Sequence, residues 1–260
     1  MITEKLNRKN VYLCERRSFA LLIVLEALFS IGYSTSIFIS SRAAYYGTPD
    51  GLGTSSGACG YGSYGRDVMA GNAAAASQLL YRNGAGCGAC YQVRCKNQAL
   101  CTANGVTVVV TDHGEGDRTD FIMSPHAFTT MAWPGKDKQL KAFGVVDIDY
   151  KRVPCNYPGH NIVFKINQSS NYPYYLSLVL LYQGSQRDVE AVEISQERTS
   201  DWKAMRRSYR GVWDIVMSPP YTNLAIRFQL SGGEWIYARN PIPSHWKAGA
   251  LYDAGVQLKY

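Results

Sequence analysis

The chain has 260 residues, 46% of them hydrophobic, with seven cysteines and a net charge of +7. So mild a basic excess argues against a nucleic-acid partner; in a secreted protein it leans towards acidic polysaccharide, although taken alone it is ordinary surface charge. The length suits one large domain or two small ones.

Residues 5–17 are net positive, 19–25 are apolar, and apolar character resumes after Glu26 through Ile39 before Ser40 and Ser41. This is the pattern of a secretory leader spanning residues 1–41, with cleavage between Ser34 and Ala43. A membrane anchor is the rival reading, disfavoured by the carboxylate of Glu26 and the polar break at 32–36. Losing the leader removes Cys14 and leaves six cysteines, 22 basic and 17 acidic residues. An even cysteine count in an oxidising compartment implies three disulfides, and sequence alone does not select their connectivity.

The mature chain opens with a short aromatic strand at 43–47 and a loop at 50–65 whose six glycines permit tight turns. Residues 70–81 are small and helix-compatible, although too short for a major helix. The stretch 84–112 organises the rest: Cys87, Cys90, Cys95 and Cys101 fall within fifteen residues, and the β-branched run 106–110 ends on Thr111 and Asp112. Four clustered cysteines raise the question of zinc or redox chemistry. Gly86, Gly88 and the strand-like Tyr91, Gln92 and Val93 instead mark a turn entering a strand, which favours structural disulfides and requires neither metal nor cofactor.

A polar loop at 113–118 leads to a short strand at 120–123. Ser124 and Pro125 then supply the N-cap and first position of a helix reaching Ala132. Alternation over 145–153 gives a half-buried strand. Two prolines and Gly159 mark a linker at 154–161, dividing a β-rich domain at 42–153 from a second at 162–260, and every mature cysteine lies at or before Cys155. The second half reads as short strands around Ile162, Phe164 and Ile166, then at 175–182, 189–195, 206–216, 224–230 and 234–238, which make an antiparallel sandwich. Asn167, Gln168 and Ser169 form an N-glycosylation sequon at a strand end, where a glycan would be exposed.

With these residues in view, the mature chain resembles plant expansins over essentially its full length, and most closely the expansin-like B group. The resemblance is carried by Tyr45-Tyr46-Gly47, Gly57-Ala58-Cys59-Gly60-Tyr61, Gly86-Cys87-Gly88-Ala89-Cys90, Val110-Thr111-Asp112, Gly144-Val145-Val146-Asp147 and Trp202-Lys203-Ala204-Met205. It implies an all-β protein: an N-terminal six-stranded double-psi β-barrel, related to family 45 endoglucanases, followed by an immunoglobulin-like carbohydrate-binding β-sandwich. It implies pairing of Cys59 with Cys87, Cys90 with Cys155 and Cys95 with Cys101.

The resemblance also implies a polysaccharide groove using Tyr46, Asp112 and Asp120 in the barrel and Tyr175, Tyr209 and Trp213 in the sandwich, with Lys203, Arg206, Arg207 and Arg210 adding positive charge around Tyr209. Trp213 could be platform or core; Trp202 and Trp246 read as core. Two departures bear on chemistry: Ile122 stands where the family carries an acid-like Asp, and Ala44 where a Thr is usual. Glycosidic hydrolysis needs both an acid and a base, so the expectation is a secreted, monomeric wall protein that binds cellulose, xyloglucan or acidic matrix glycans without hydrolysing them and that could loosen the wall. It is not expected to be an enzyme, to bind nucleic acid, or to stay in a membrane after leader cleavage. The rivals are a weak glycoside hydrolase or lytic transglycosylase using Asp112 and Asp120, and a defence or signalling lectin.

Overall fold

The computed structural model describes residues 37–258 apart from Asp117 and Arg198, and for Tyr209 the backbone only. The leader lies almost wholly outside the described residues. Six strands close a barrel: β1 Ile39–Tyr45, β2 Ala73–Ala76, β3 Cys90–Cys95, β4 Val106–His113, β5 Phe121–Met123 and β6 Val145–Val153, in the order β1-β5-β2-β4-β3-β6. Parallel β1/β5 and β2/β4 pairs sit among antiparallel ones, so the chain crosses the barrel repeatedly rather than meandering around it.

The barrel begins earlier than expected. Ile39, Ser40 and Ser41 pair with Tyr150, Asp149 and Ile148 of β6, supplying three of the six β1/β6 register pairs. Ser40 Oγ also donates to Asp149 Oδ1 at 2.8 Å, and the Arg94 guanidinium lies 3.6 Å from the Phe38 ring. A boundary at residue 42 would cut through this strand.

The alanine run is also not helical. All four residues of β2 are 3% exposed or less, with Ala74 and Ala76 in the barrel core and Ala73 against Val68 and Val109. A Cβ placed on Gly53 would lie 3.0 Å from Ala73 Cβ, and one on Gly114 would lie 3.0 Å from Ala75 Cβ. Close passage of these loops demands the smallest side chains, and that burial overrides alanine's helix preference.

Helix α1, Ser63–Gly71, is broken by a kink at Val68, Met69 and Ala70, and α2 is the single turn Gln78–Tyr81. Helix α3, Pro125–Thr130, starts as expected: Ser124 Oγ accepts from Ala127 N at 3.0 Å. Helix α4, Asp137–Ala142, has no counterpart among the expected elements. The disulfides are Cys59–Cys87, Cys90–Cys155 and Cys95–Cys101, as the resemblance implied.

The second half contains β7 Val163–Ile166, β8 Tyr175–Leu181, β9 Val189–Gln196, β10 Lys203–Ala204, β11 Arg206–Tyr209, β12 Val212–Val216, β13 Leu224–Leu230, β14 Trp235–Tyr237 and β15 Leu251–Asp253. One sheet runs β10-β9-β13-β14 and the other β11-β12-β8-β7-β15. Alternate residues from both, among them Phe164, Leu178 and Trp213 from one sheet and Val192, Ile226 and Phe228 from the other, make a single core. The segment expected as one strand at 206–216 is a hairpin, turned at Arg210 and Gly211.

Barrel and sandwich belong to one compact unit, Phe38–Tyr260. The β11/β12 turn presses onto the cysteine loop, so that a Cβ on Gly84 would lie 1.7 Å from the Arg210 carbonyl oxygen. Asp188 beside β9 receives Arg82 at 2.7 Å and Arg152 at 2.9 Å from the barrel. Lys165 Nζ donates to Tyr61 O at 2.6 Å, and Arg207 reaches Gly84 O at 3.3 Å.

Candidate functional site

Four adjacent barrel strands bring Ala44, Ile122, Ala75 and Asp112 into one row: Ala44 registers with Ile122, Ile122 with Ala75, and Ala75 with Asp112. Cross-strand partners project to the same face. The row is therefore an apolar floor with a carboxylate at one end, and both positions that depart from the expansin pattern lie in it. Ile122 fills the space beside Gly114, where an added Cβ would meet Ile122 Cδ1 at 3.1 Å.

Asp112 is held by the glycine-rich loop and by the next residue of its own strand. Oδ1 accepts from Ala58 N at 2.5 Å and His113 N at 2.8 Å, while Oδ2 makes no hydrogen bond among the described residues. Tyr46 lies alongside, its phenol held well above the usual range by burial and then by the Asp112 charge. The hydroxyls of Tyr46 and Thr111 are both buried and face each other without a hydrogen bond of ordinary geometry. Next to them the His113 ring stacks on Tyr81 at 4.8 Å, and its Nε2 is 3.5 Å from Glu115 Oε1.

Asp120 is placed differently. Its Oδ1 accepts from Ser77 Oγ at 2.7 Å, it faces the buried Tyr150 hydroxyl, and it lines a polar recess of about 750 Å3 with Ser41, Arg42, Lys96 and Asp147. Two strand spacings and a two-residue offset separate it from Asp112 by ~11–12 Å between Cα atoms.

On the sandwich, Tyr175 at the start of β8 donates its hydroxyl to Asp214 Oδ2 at 2.9 Å, and Arg206 meets both Asp214 oxygens at 3.1 Å. Asp214 is 3% exposed. Burial alone would raise its pKa, but the hydrogen bonds from Arg206 and Tyr175 outweigh it and hold the carboxyl below the usual range. The half-exposed Tyr175 ring is thus fixed by its hydroxyl end.

The Expansin C-terminal domain matches residues 162–243, and DPBB_1, described as lytic transglycolase, matches 73–150. Expansin-like B1 of Arabidopsis thaliana is 48% identical over 85% of this chain and 89% of its own length. The chain belongs to the expansin family. Expansin-like B1 of Oryza sativa subsp. japonica is 44% identical over 94% of this expansin and 97% of its own length. The expansin of Clavibacter michiganensis shares the fold at a TM-score of 0.65 and 20% identity, covering 85% of this chain and 98% of that one; a mutant form of it, solved in complex with cellohexaose, superposes at 0.63.

Within this expansin the structure brings Tyr46 and Asp112 together and sets Asp120 apart. Trp213 is 4% exposed, packed in the sandwich core beneath Arg207, whose guanidinium lies 4.3 Å from the ring; no ring face is left for a ligand, which corrects its placement among binding residues. Lys203 lies on β10 in the opposite sheet and Arg207 is spent on the junction with the barrel, so of the expected cations Arg206 and Arg210 remain on the exposed part of the face. Tyr209 ends β11 opposite Val212, and its side chain lies outside what is described. Trp246 is 1% exposed as expected of core, whereas Trp202 is half-buried and covers Arg227 at 4.4 Å. Asn167 is half-buried rather than exposed: the Nδ2 that would carry a glycan donates to Oγ of Ser177, which is 0% exposed. Sequence reasoning misses the Tyr175–Asp214–Arg206 cluster: alternation along β12 turns Trp213 and Ile215 to the sandwich core and Asp214 to the opposite face, so nothing in the strand pattern marks that carboxylate as buried.

Proposed function

We propose that this expansin is exported to the cell wall and binds wall polysaccharide without hydrolysing it, through the Ala44–Ile122–Ala75–Asp112 floor and the Tyr175 face of the sandwich. The observation that carries the reading is the lone carboxylate of the row. Glycoside hydrolysis uses two carboxyl groups, ~5–5.5 Å apart when retaining and ~6.5–9.5 Å apart when inverting. Ile122 removes the candidate acid, and Asp120, two residues before it, is tied to Ser77. A surface with one carboxylate and a tyrosine ring fixed by its hydroxyl suits sugar hydroxyls and pyranose faces. The cellohexaose bound by the Clavibacter michiganensis mutant supports a β-glucan ligand.

Export is read from the leader pattern, and cleavage upstream of Phe38 would keep β1 whole. Among the described residues no helix is long and apolar enough to cross a membrane. Wall loosening is part of the proposal and rests on the family. The experiment that tests it is extension of isolated walls under load with purified mature protein, run beside a reducing-sugar assay: extension without new reducing ends supports the reading, and reducing ends that track extension refute it.

A further inference from the structure

Away from the polysaccharide groove, a cavity of about 460 Å3 opens where the kink of α1 meets the connection leaving the barrel. This is within the ~300–1,000 Å3 typical of small-molecule sites, and none of its lining residues belongs to the Asp112 row or the Asp120 recess. Val68, Met69, Ala70 and Pro158 supply an apolar wall. Opposite, Tyr182 gathers three rings: Tyr64 and Tyr157 meet it edge-on at 4.7 and 5.3 Å, and His160 stacks parallel at 4.5 Å. The Tyr64 hydroxyl faces Tyr157 but is buried outside hydrogen-bonding geometry.

The backbone at this site is unusual. Of the seven non-glycine residues with positive φ among those described, Met69 (51°), Ala70 (57°) and Tyr182 (60°) all line this cavity. Left-handed backbone is disfavoured for L-residues and persists where surrounding structure imposes it, commonly at ligand clamps.

We propose that this cavity binds a neutral phenolic ring. A planar ring has the shape to lie against the tyrosine edges and the Met69 thioether. A sugar would leave several hydroxyls facing Val68, Ala70 and Pro158 without partners, at full desolvation cost. Asp67, in the lining and exposed, meets Arg66 Nε only at the long distance of 3.9 Å. Its carboxylate accepts a phenolic O–H and repels an acid.

The test is ligand-observed NMR titration of the mature chain with 4-methylphenol, 4-methylanisole and 4-hydroxyphenyl β-glucoside. The expected result is saturable binding of 4-methylphenol, at least fivefold tighter than of 4-methylanisole. Asp67→Asn, a surface change that leaves the fold intact, brings that ratio close to one. Met69→Gly, which keeps the left-handed backbone without strain, weakens both ligands at least fivefold. Binding of the glucoside assigns the site to phenols carried on a sugar, and its exclusion assigns the site to free phenols; either supports a phenol site. Absence of saturation by 4-methylphenol, or saturation indifferent to both substitutions, overturns it.

Discussion

Asp112 and Ile122 flank Ala75 in one register row, each on a strand neighbouring β2. The carboxylate and the isoleucine thus project to the same face of the barrel sheet; in the proposed reading that face carries one carboxyl group where hydrolysis needs two. Asp112→Asn should lower affinity for cello-oligosaccharides by ~1 kcal/mol, about fivefold, because a charged acceptor is replaced by a neutral one. Ile122→Ala should have a smaller effect, through lost apolar contact alone. Isothermal titration with cellohexaose checks both; equal insensitivity would remove the row from the binding surface.

The ring of Tyr175 and its hydroxyl have separable roles. Tyr175→Phe keeps the flat face and loses one bond to Asp214, so retention on insoluble glucan should stay within twofold. Tyr175→Ala removes the face and should weaken retention by ~1–2 kcal/mol. Depletion binding on amorphous cellulose measures each; a large loss in the Phe variant would show that the hydroxyl, not the ring, carries binding.

The junction predicts an acid limb of stability. Burial alone would raise Asp188 above its usual 3.8, but Arg82 and Arg152 outweigh burial and hold it lower. A depressed carboxylate contributes stability that is present above about pH 4 and is lost as pH falls through the folded pKa. Asp188→Asn should cost ~1–2 kcal/mol at pH 6, since it leaves the half-buried Arg152 without its carboxylate while the more exposed Arg82 stays solvated, and should flatten the acid dependence contributed by this group. Urea unfolding at pH 6 and below pH 4 is the measurement; unchanged stability at pH 6 would mean that the pair is solvated.

The disulfide Cys90–Cys155 closes a span of 65 residues and ties β3 to the barrel exit. In the chain-entropy account such a loop contributes about 4 kcal/mol. Native mature protein should show no titratable thiol, and Cys90→Ser with Cys155→Ser should unfold at markedly lower urea. Two reactive thiols in the native protein would contradict the pairing.

Asn167 should be unmodified, because the half-buried residue directs its Nδ2 at the buried Ser177, which leaves little room for a glycan. Enzymatic deglycosylation should leave gel mobility unchanged; a shift abolished by Asn167→Gln would show that the strand end opens during export.

Much of the fold is legible in the residues alone, and what is not has physical causes. Alternation exposes β6, β7 and β13 because one face of each is buried, and Ser124 followed by Pro125 marks α3 through local capping chemistry alone. The run Ala73–Ala76 misleads because alanine's helix preference says nothing about the glycine loops packed against it. Trp213 misleads because alternation leaves open which face of a sandwich strand is core when tryptophan and arginine neighbour each other across a hairpin. Lys203 falls on the wrong face because β10 and β11 are adjacent in sequence yet belong to different sheets. Asp112 stands out from its place at the end of a valine run, but its row with Ala44, Ala75 and Ile122 is a property of barrel closure.

Most directly, the central claim rests on one paired measurement: bound fraction and reducing-end release from cellohexaose and amorphous cellulose, with wild-type mature protein and Asp112→Asn side by side. The account predicts saturable binding by wild type, weaker binding by the variant, and reducing ends at the protein-free background for both. Reducing ends that accumulate with time and with wild-type concentration, and disappear in Asp112→Asn, would contradict it.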